Sequence, residues 1–392
     1  MRLKRTPLTW YCYLLSGFFT VVLNIQGNIL PFLREELSLS YRAVSLHPSA
    51  IACGMIISGA ITGHIVKSIG RRRALQVGIA GTLLGTLMLV AAPSVVVSVA
   101  GCLLVGLTGA MMPGIIAGLL AQVHGEARNQ AYAECGAMTY ACVVVSSLAA
   151  GAVIGWGLGW RAAMLFGAAL GLILAAAFFR TRVPDPLPRP VSAAGVAQAG
   201  LPLPSILFMV TLGLGVALEY SVLLWSPAYL EHEIGLTRAD ANTAAAAYSV
   251  AMLLGRLGGS VVVRRVAPLV LYPLALSVVV PGFILYWVIA TPVLAIAGVF
   301  LLGLAISLLY PLAIGLTVSA AGPLGDLAGT RSGYAAGTAL LLSPLVLGGL
   351  ADAVGLRMAH LAIPAIAVAI LSCFSVARIL QRRMVVHAAP AQ

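Results

Sequence analysis

The chain has 392 residues, 61% of them hydrophobic and 9% charged, with a mean hydropathy of +1.04. Soluble domains carry about a quarter charged residues, so this composition excludes a globular surface in water and makes lipid the solvent. The net charge of +12 does not point to nucleic acid, because the basic residues sit singly or in short clusters between apolar runs, with no basic stripe interleaved with aromatics.

The N-terminus reads Met1-Arg2-Leu3-Lys4-Arg5 and runs into a long apolar stretch. That stretch is too long for a signal-peptide core and no small-residue cleavage site follows it, so an uncleaved first span is expected. Six apolar segments occupy the first half, at 8–30, 44–66, 74–92, 96–121, 131–154 and 162–179. Each is about 20 residues long, as a membrane helix requires. None alternates as a barrel strand would, and in lipid the backbone must be satisfied within its own segment.

The first span places Asn24 and Asn28 at i and i+4, with Gly17, Thr20 and Gly27 along the same side. Amides on one face of a membrane helix either tie helices together or hydrogen-bond a polar substrate; both readings stand, whereas Gln26 points elsewhere and reads as interhelical. In the second span Gly59 and Gly63 form a G-x-x-x-G surface suited to close helix approach. The loop that follows carries Arg71, Arg72 and Arg73, placed to meet an anionic inner leaflet. Glu134 stands about one turn into the fifth span. A structural pairing with Arg128 or another cation is its first reading, and a gating or proton-coupling role the sharper one.

Residues 181–204 break the rhythm with Pro184, Pro186, Pro188, Pro190, Pro202 and Pro204, a density no helix tolerates. They read as a cytoplasmic linker between a first bundle at 1–180 and a second at 205–392. The second bundle holds apolar segments at 206–230, 244–263, 269–289, 293–316, 334–354 and 358–380.

Glu219 lies near the middle of the seventh span, with Gly215 and Ser226 on its face. A carboxylate at that depth is costly and marks a functional site by default. Proton coupling is one reading, a structural acid paired with a cation or hydroxyl the other. Tyr220, Trp225 and Tyr310 are expected to supply aromatic contacts to a substrate site shared with Asn24 and Asn28. Tyr310-Pro311 and Ser343-Pro344 are candidate hinges. The six cysteines include no C-x-x-C pair and the histidines lie mostly at helix ends, so neither a metal nor any cofactor is expected; His47 alone, one turn inside its span, could do more.

The halves match at one offset: Gly59, Gly63, Pro31, Gly159 and Arg161, each shifted by 196, meet Gly255, Gly259, Pro227, Gly355 and Arg357. This is the signature of a duplicated six-helix unit. With both termini cytoplasmic, only Arg34, Arg42, Arg161, Arg238 and Arg357 of the 23 basic residues fall outside. The positive-inside bias therefore sets the orientation in a cell inner membrane.

The loop Gly63-His64-Ile65-Val66-Lys67-Ser68-Ile69-Gly70-Arg71-Arg72-Arg73 resembles the G-x-x-x-D-R-x-G-R-R motif of the major facilitator superfamily. Gly63, Gly70, Arg71 and Arg72 match, while Lys67 and Ser68 replace the motif's acidic and basic pair. Gly255-Arg256-Leu257-Gly258-Gly259, followed by Arg264-Arg265, echoes it in the second half. Together with the twelve spans and the central linker, the resemblance covers nearly the whole chain. It implies an all-α membrane protein of twelve helices in two pseudo-symmetric six-helix bundles. It also implies alternating access, a small-molecule substrate, and gating residues at Gly63, Gly70, Arg71, Arg72 and Arg256. In the family the motif's acid latches the inner gate, which Lys67 cannot do. The fifth span lacks the Gly-Pro motif of drug/proton antiporters, and the stretch 219–230 is similar to sugar and fucose permease-like members. A monomeric, proton-coupled symporter is the leading expectation, with proton-driven efflux as its alternative. A polytopic enzyme is disfavoured by the absence of H-E-x-x-H, G-x-S-x-G and S-x-x-K sequences, and a sensor by the short tail after Arg383.

Overall fold

The computed structural model describes residues 4–185, 200–263, 265–289 and 291–388. Most of the linker and Arg264 therefore lie outside the described residues. No strand occurs among the described residues.

The first helix, α1 (Pro7–Glu36), opens on a capping box in which Thr6 and Thr9 satisfy each other's backbone N–H groups. α2 (Leu46–Val90) is continuous by hydrogen bonding, but Gly70 breaks it with φ +78°. The apolar run from Tyr41 to Val90 is 50 residues, about 75 Å of helix, more than twice the roughly 30 Å hydrocarbon layer. It is therefore two crossings that meet at Gly70, the second and third spans. Then follow α3 (Val95–Gly109) and α4 (Met111–His124), two pieces of one crossing, and α5 (Arg128–Gly155) and α6 (Gly159–Ala177).

In the second half α7 (Leu203–His232) and α8 (Arg238–Val262) come first. The next crossing is α9 (Pro268–Ser277) and α10 (Val279–Phe283), ending in a π turn at Ile284–Val288. α11 (Pro292–Ile306) and α12 (Leu309–Ala321) make the tenth, and α13 (Gly325–Val354) and α14 (Ala362–Ala388) complete the chain. Ten stretches among the described residues are long and apolar enough to cross a membrane. One of them holds two crossings. α8, 25 residues long, is not among the ten and adds one more. The total fits twelve.

By contacts the chain divides into two compact units, Met1–Arg189 with Leu236–Ser249, and Pro190–Gly235 with Val250–Gln392. The first half of α8 is thus counted with the first unit, a division that differs there from the one drawn along the sequence. In the first unit α1 is the central helix, packed on α5 and α6, with Tyr13, Leu15, Phe18, Ile25 and Ile29 buried. In the second α7 takes that place against α12, α13 and α14.

Each unit repeats the other's local geometry. The third and fourth crossings touch where Gly85 meets the carbonyl of Gly101, and the ninth and tenth where Gly298 meets that of Gly282. Gly125 (φ +50°) ends α4 and Gly322 (φ +55°) ends α12, each followed by a 3-10 turn. Gly159 (φ +79°) begins α6, and Gly355 (φ +86°) caps the short helix Leu356–Ala359 that leads into α14. Left-handed backbone is where glycine is cheapest, so these positions fix the repeat in the sequence. The close approach expected at Gly59 and Gly63 is not made, since a Cβ on either would meet nothing within 4 Å. The second span instead meets the fourth at Gly54, against the backbone of Leu103 and Leu107.

Candidate functional site

The charged centre of the second unit is built on α7. Glu219 stands 16 residues from Leu203 and 13 from His232, about 24 and 20 Å from the helix ends. Gly215, one turn away, lets α12 approach with the Leu309 Cβ 3.6 Å from where a Cβ would sit. That approach brings up Tyr310. Arg256 of α8 acts coulombically on Glu219, and the charges of both reach Tyr220 and Tyr310. Arg256, read from the sequence as part of a loop motif, is thus a cation whose charge reaches the mid-span acid. Seven residues beyond Glu219, the Ser226 hydroxyl is buried without a hydrogen-bond partner. Trp225 beside it is 2% exposed.

In the first unit the two asparagines have different surroundings. The Asn24 side-chain amide donates to the Ser146 hydroxyl at 3.0 Å, the Ser147 hydroxyl at 2.8 Å and the Val143 carbonyl at 3.4 Å. It binds α1 to α5. Asn28 is equally buried, yet its Nδ2 has no partner. Gln26 donates to the Cys102 sulfur at 2.8 Å, an interhelical contact.

At the other end of α1, Glu134 accepts two hydrogen bonds from the Arg5 guanidinium at 2.8 and 2.9 Å. It accepts two more from the Tyr13 hydroxyl and the Gln130 amide, both at 3.2 Å. Its cation is Arg5; the side chain of Arg128 lies outside the described residues. His47 is spent between the Val44 carbonyl and the Ser98 hydroxyl. His360, just before α14, is 0% exposed and packs on Tyr229 and Tyr286.

The motif loop contains a carboxylate that its own sequence lacks. Lys67 is exposed. Past the break at Gly70, the Arg71 backbone N–H donates to Asp185 Oδ1 at 3.1 Å. The Arg71 guanidinium donates to Gln122 Oε1 at 2.6 Å and to the Pro184 carbonyl at 3.3 Å, and the Gln122 amide donates to the Asp185 carbonyl at 3.3 Å. Arg72 donates to the Phe179 carbonyl at 2.5 Å. Asp185 is the only acid in 181–204. In a chain with 11 acids that scarcity was the available signal, although nothing in the sequence showed where the residue docks.

A membrane bundle of two matching repeats, with an acid inside one span, a cation on the next and small-residue crossings between helices, has the architecture of a polytopic transporter. The family model for the Major Facilitator Superfamily matches residues 10–343, and the chain belongs to that superfamily. Among solved structures it is similar to the nucleoside transporter NupG, with a TM-score of 0.76, 13% identity, and 95% of this chain and 99% of that one covered. It is similar too to a bacterial homolog of the human lysosomal transporter Spinster in an inward-facing and occupied conformation. There the TM-score is 0.75, identity 14%, and coverage 97% and 98%. At these identities the likeness is one of fold. No curated protein matched the chain. The protein is a multi-pass membrane transporter of the secondary type.

Proposed function

We propose that the chain is a proton-coupled symporter that moves a small organic solute across the cell inner membrane by alternating access, with both termini and the 181–204 linker cytoplasmic. The observation that carries this reading is Glu219, an acid at mid-span whose nearby cation, Arg256, stands on another helix. A charge at that depth is tolerated when it is paired or protonated. A group able to exchange a pairing for a proton couples the two states of a carrier. Asn28, with its buried unpartnered amide, and Tyr220 and Tyr310, beside Glu219, are the proposed solute contacts of the first and second unit respectively. Asn24, whose amide is committed to α5, is the tie in this reading, and Glu134 is a structural acid held by Arg5.

The test uses Glu219→Gln in proteoliposomes with a solute panel. Exchange of pre-loaded solute should persist while accumulation driven by a pH gradient is lost. Full gradient-driven accumulation by this variant would overturn the coupling role, and the sign of the gradient that drives uptake separates symport from efflux.

A further inference from the structure

The second unit carries a groove of about 760 Å³ that the charged centre does not use. It runs along α13 on residues spaced by three and four, from Arg331 and Tyr334 through Leu342 to Leu347, with α7 as the opposite wall. The 16 residue steps from Arg331 to Leu347 span about 24 Å of helix, most of the roughly 30 Å hydrocarbon layer. The lining is apolar apart from one cation and a few hydroxyls. Glu219 is absent from it, lying on the other side of α7 from Ala217 and Ser221, which do line it. The floor is narrow: a Cβ at Gly213 would sit 3.3 Å from the Ala335 carbonyl.

Two features distinguish this groove from a purely apolar furrow. The single charge, Arg331, sits at the end that the proposed topology assigns to the cytoplasm, where an acidic head meets a guanidinium. Ser343, about 18 Å further along the helix, is 9% exposed and its hydroxyl has no hydrogen-bond partner. Burying a hydroxyl without a partner is unfavourable, and Ser343 lies on the lining. The neighbouring Ser221, by contrast, is satisfied by the Ala217 carbonyl.

We infer that the groove binds a single-chain amphiphilic carboxylate drawn from the bilayer, its head on Arg331 and Tyr334, its chain along α7 and α13, and a mid-chain oxygen on Ser343. Ricinoleate and oleate, which differ by one mid-chain hydroxyl, are the probes. The full chain in nanodiscs of zwitterionic lipid is labelled with a diazirine-bearing long-chain carboxylate, and the adducts are mapped by mass spectrometry.

Adducts should fall in 209–221 and 331–347. Oleate should compete, a long-chain trimethylammonium should not, and ricinoleate should compete several-fold better than oleate. Ser343→Ala should erase that difference. Arg331→Gln should weaken competition about tenfold, the equivalent of roughly 1.4 kcal/mol. Ala339→Trp should fill the groove and abolish labelling, with gel filtration confirming that the variant is folded. Adducts spread over all lipid-facing helices, labelling untouched by Ala339→Trp, or equal competition by the cationic amphiphile would overturn the inference. Equal competition by ricinoleate and oleate would remove Ser343 from it. Glu219→Gln should bind the probe as the unaltered protein does, so a failure of the transport proposal leaves this result standing.

Discussion

Arg161 and Arg357 stand 196 positions apart and make the same contact in their own units. Arg161 Nε donates to the Val90 carbonyl at 3.0 Å and Arg357 Nη2 to the Trp287 carbonyl at 3.2 Å. Each joins the start of the last crossing to the end of the third crossing of its repeat. Each also lies over an indole, Arg161 on Trp160 at 4.4 Å and Arg357 on Trp287 at 5.3 Å. The surroundings have diverged. Arg161 is also held bidentately by Glu36, whereas Trp287 returns a bond from its indole N–H to the Arg357 carbonyl at 2.7 Å. A carbonyl that ends a helix needs a donor, and both repeats solve that need with the same residue at the same place.

The glycines before these arginines are the first test. Gly159→Ala and Gly355→Ala each force a side chain into left-handed backbone, which costs about 1–2 kcal/mol. Thermal unfolding in detergent should show both destabilised by similar amounts. Gly315→Ala, at a position where a Cβ would meet nothing within 4 Å, should cost much less. Equal losses at all three would remove the argument from φ.

Asn24 and Asn28 share a helix face and should respond differently. Asn24→Ala deletes three buried donor contacts to α5 and should lower stability by about 1–3 kcal/mol, with the apparent solute affinity nearly unchanged. Asn28→Ala removes an amide nitrogen that bonds nothing in the protein. It should leave stability near normal and weaken affinity. The paired measurement is unfolding temperature and concentration dependence of uptake for each variant.

Much of this architecture was legible in the chain because membrane helices announce themselves. Apolar runs of fixed length and the 196-residue offset required only counting. The break at Gly70 falls in the loop read between the second and third spans, whereas the one at Ala110 was not legible, since an apolar run reads the same whether or not its axis turns. The G-x-x-x-G at Gly59 and Gly63 misled for a related reason. Small residues permit close approach but do not require it, and the approach was made one turn earlier at Gly54. Glu219 was legible from cost alone. Its partner Arg256 was not, because sequence spacing says nothing of which helix lies opposite.

Asp185 supplies the second kind of information that only packing gives. Its carboxylate accepts from the first N–H beyond the Gly70 break, the role of a helix-capping side chain, at a helix end whose dipole favours an anion. Asp185→Ala should lower stability by about 1 kcal/mol. Lys67→Ala, which removes only an exposed cation, should change it little. Thermal melts of the two variants decide the matter, and an equal response would mean that Asp185 does not cap the loop.

The first unit holds a further ion pair that joins distant parts of the chain. Arg238 donates bidentately to Glu35 and lies over the Phe32 ring at 4.6 Å. The partners are 203 residues apart in sequence. Glu35 is 45% exposed, so solvent screening limits the pair to about 1 kcal/mol or less. Arg238→Glu sets two carboxylates together and should depress transport more than it depresses stability. Adding Glu35→Arg should restore transport in part. No recovery in the exchanged pair would show that the phenylalanine stack, and not the charge pair, sets the contact.

The last prediction separates the two charges at the centre of the second unit. At mid-span, removing one of two opposite charges leaves the other uncompensated, which is costly. Arg256→Gln alone should therefore be damaging, because Glu219 loses its nearby cation and must take a proton to remain at that depth. The carrier would then hold its proton in both states and fail to release it. Glu219→Gln alone leaves Arg256 as the uncompensated charge and loses coupling in the opposite way, never taking a proton up. The double variant Glu219→Gln, Arg256→Gln has neither charge. It should recover stability relative to Arg256→Gln and exchange solute freely, yet still not accumulate it. Stability from detergent unfolding and accumulation from pH-jump uptake form a double-mutant cycle on the same four proteins. If the pair is structural, both measurements should recover together in the double variant. Recovery of stability without recovery of accumulation is the outcome that a coupling role requires.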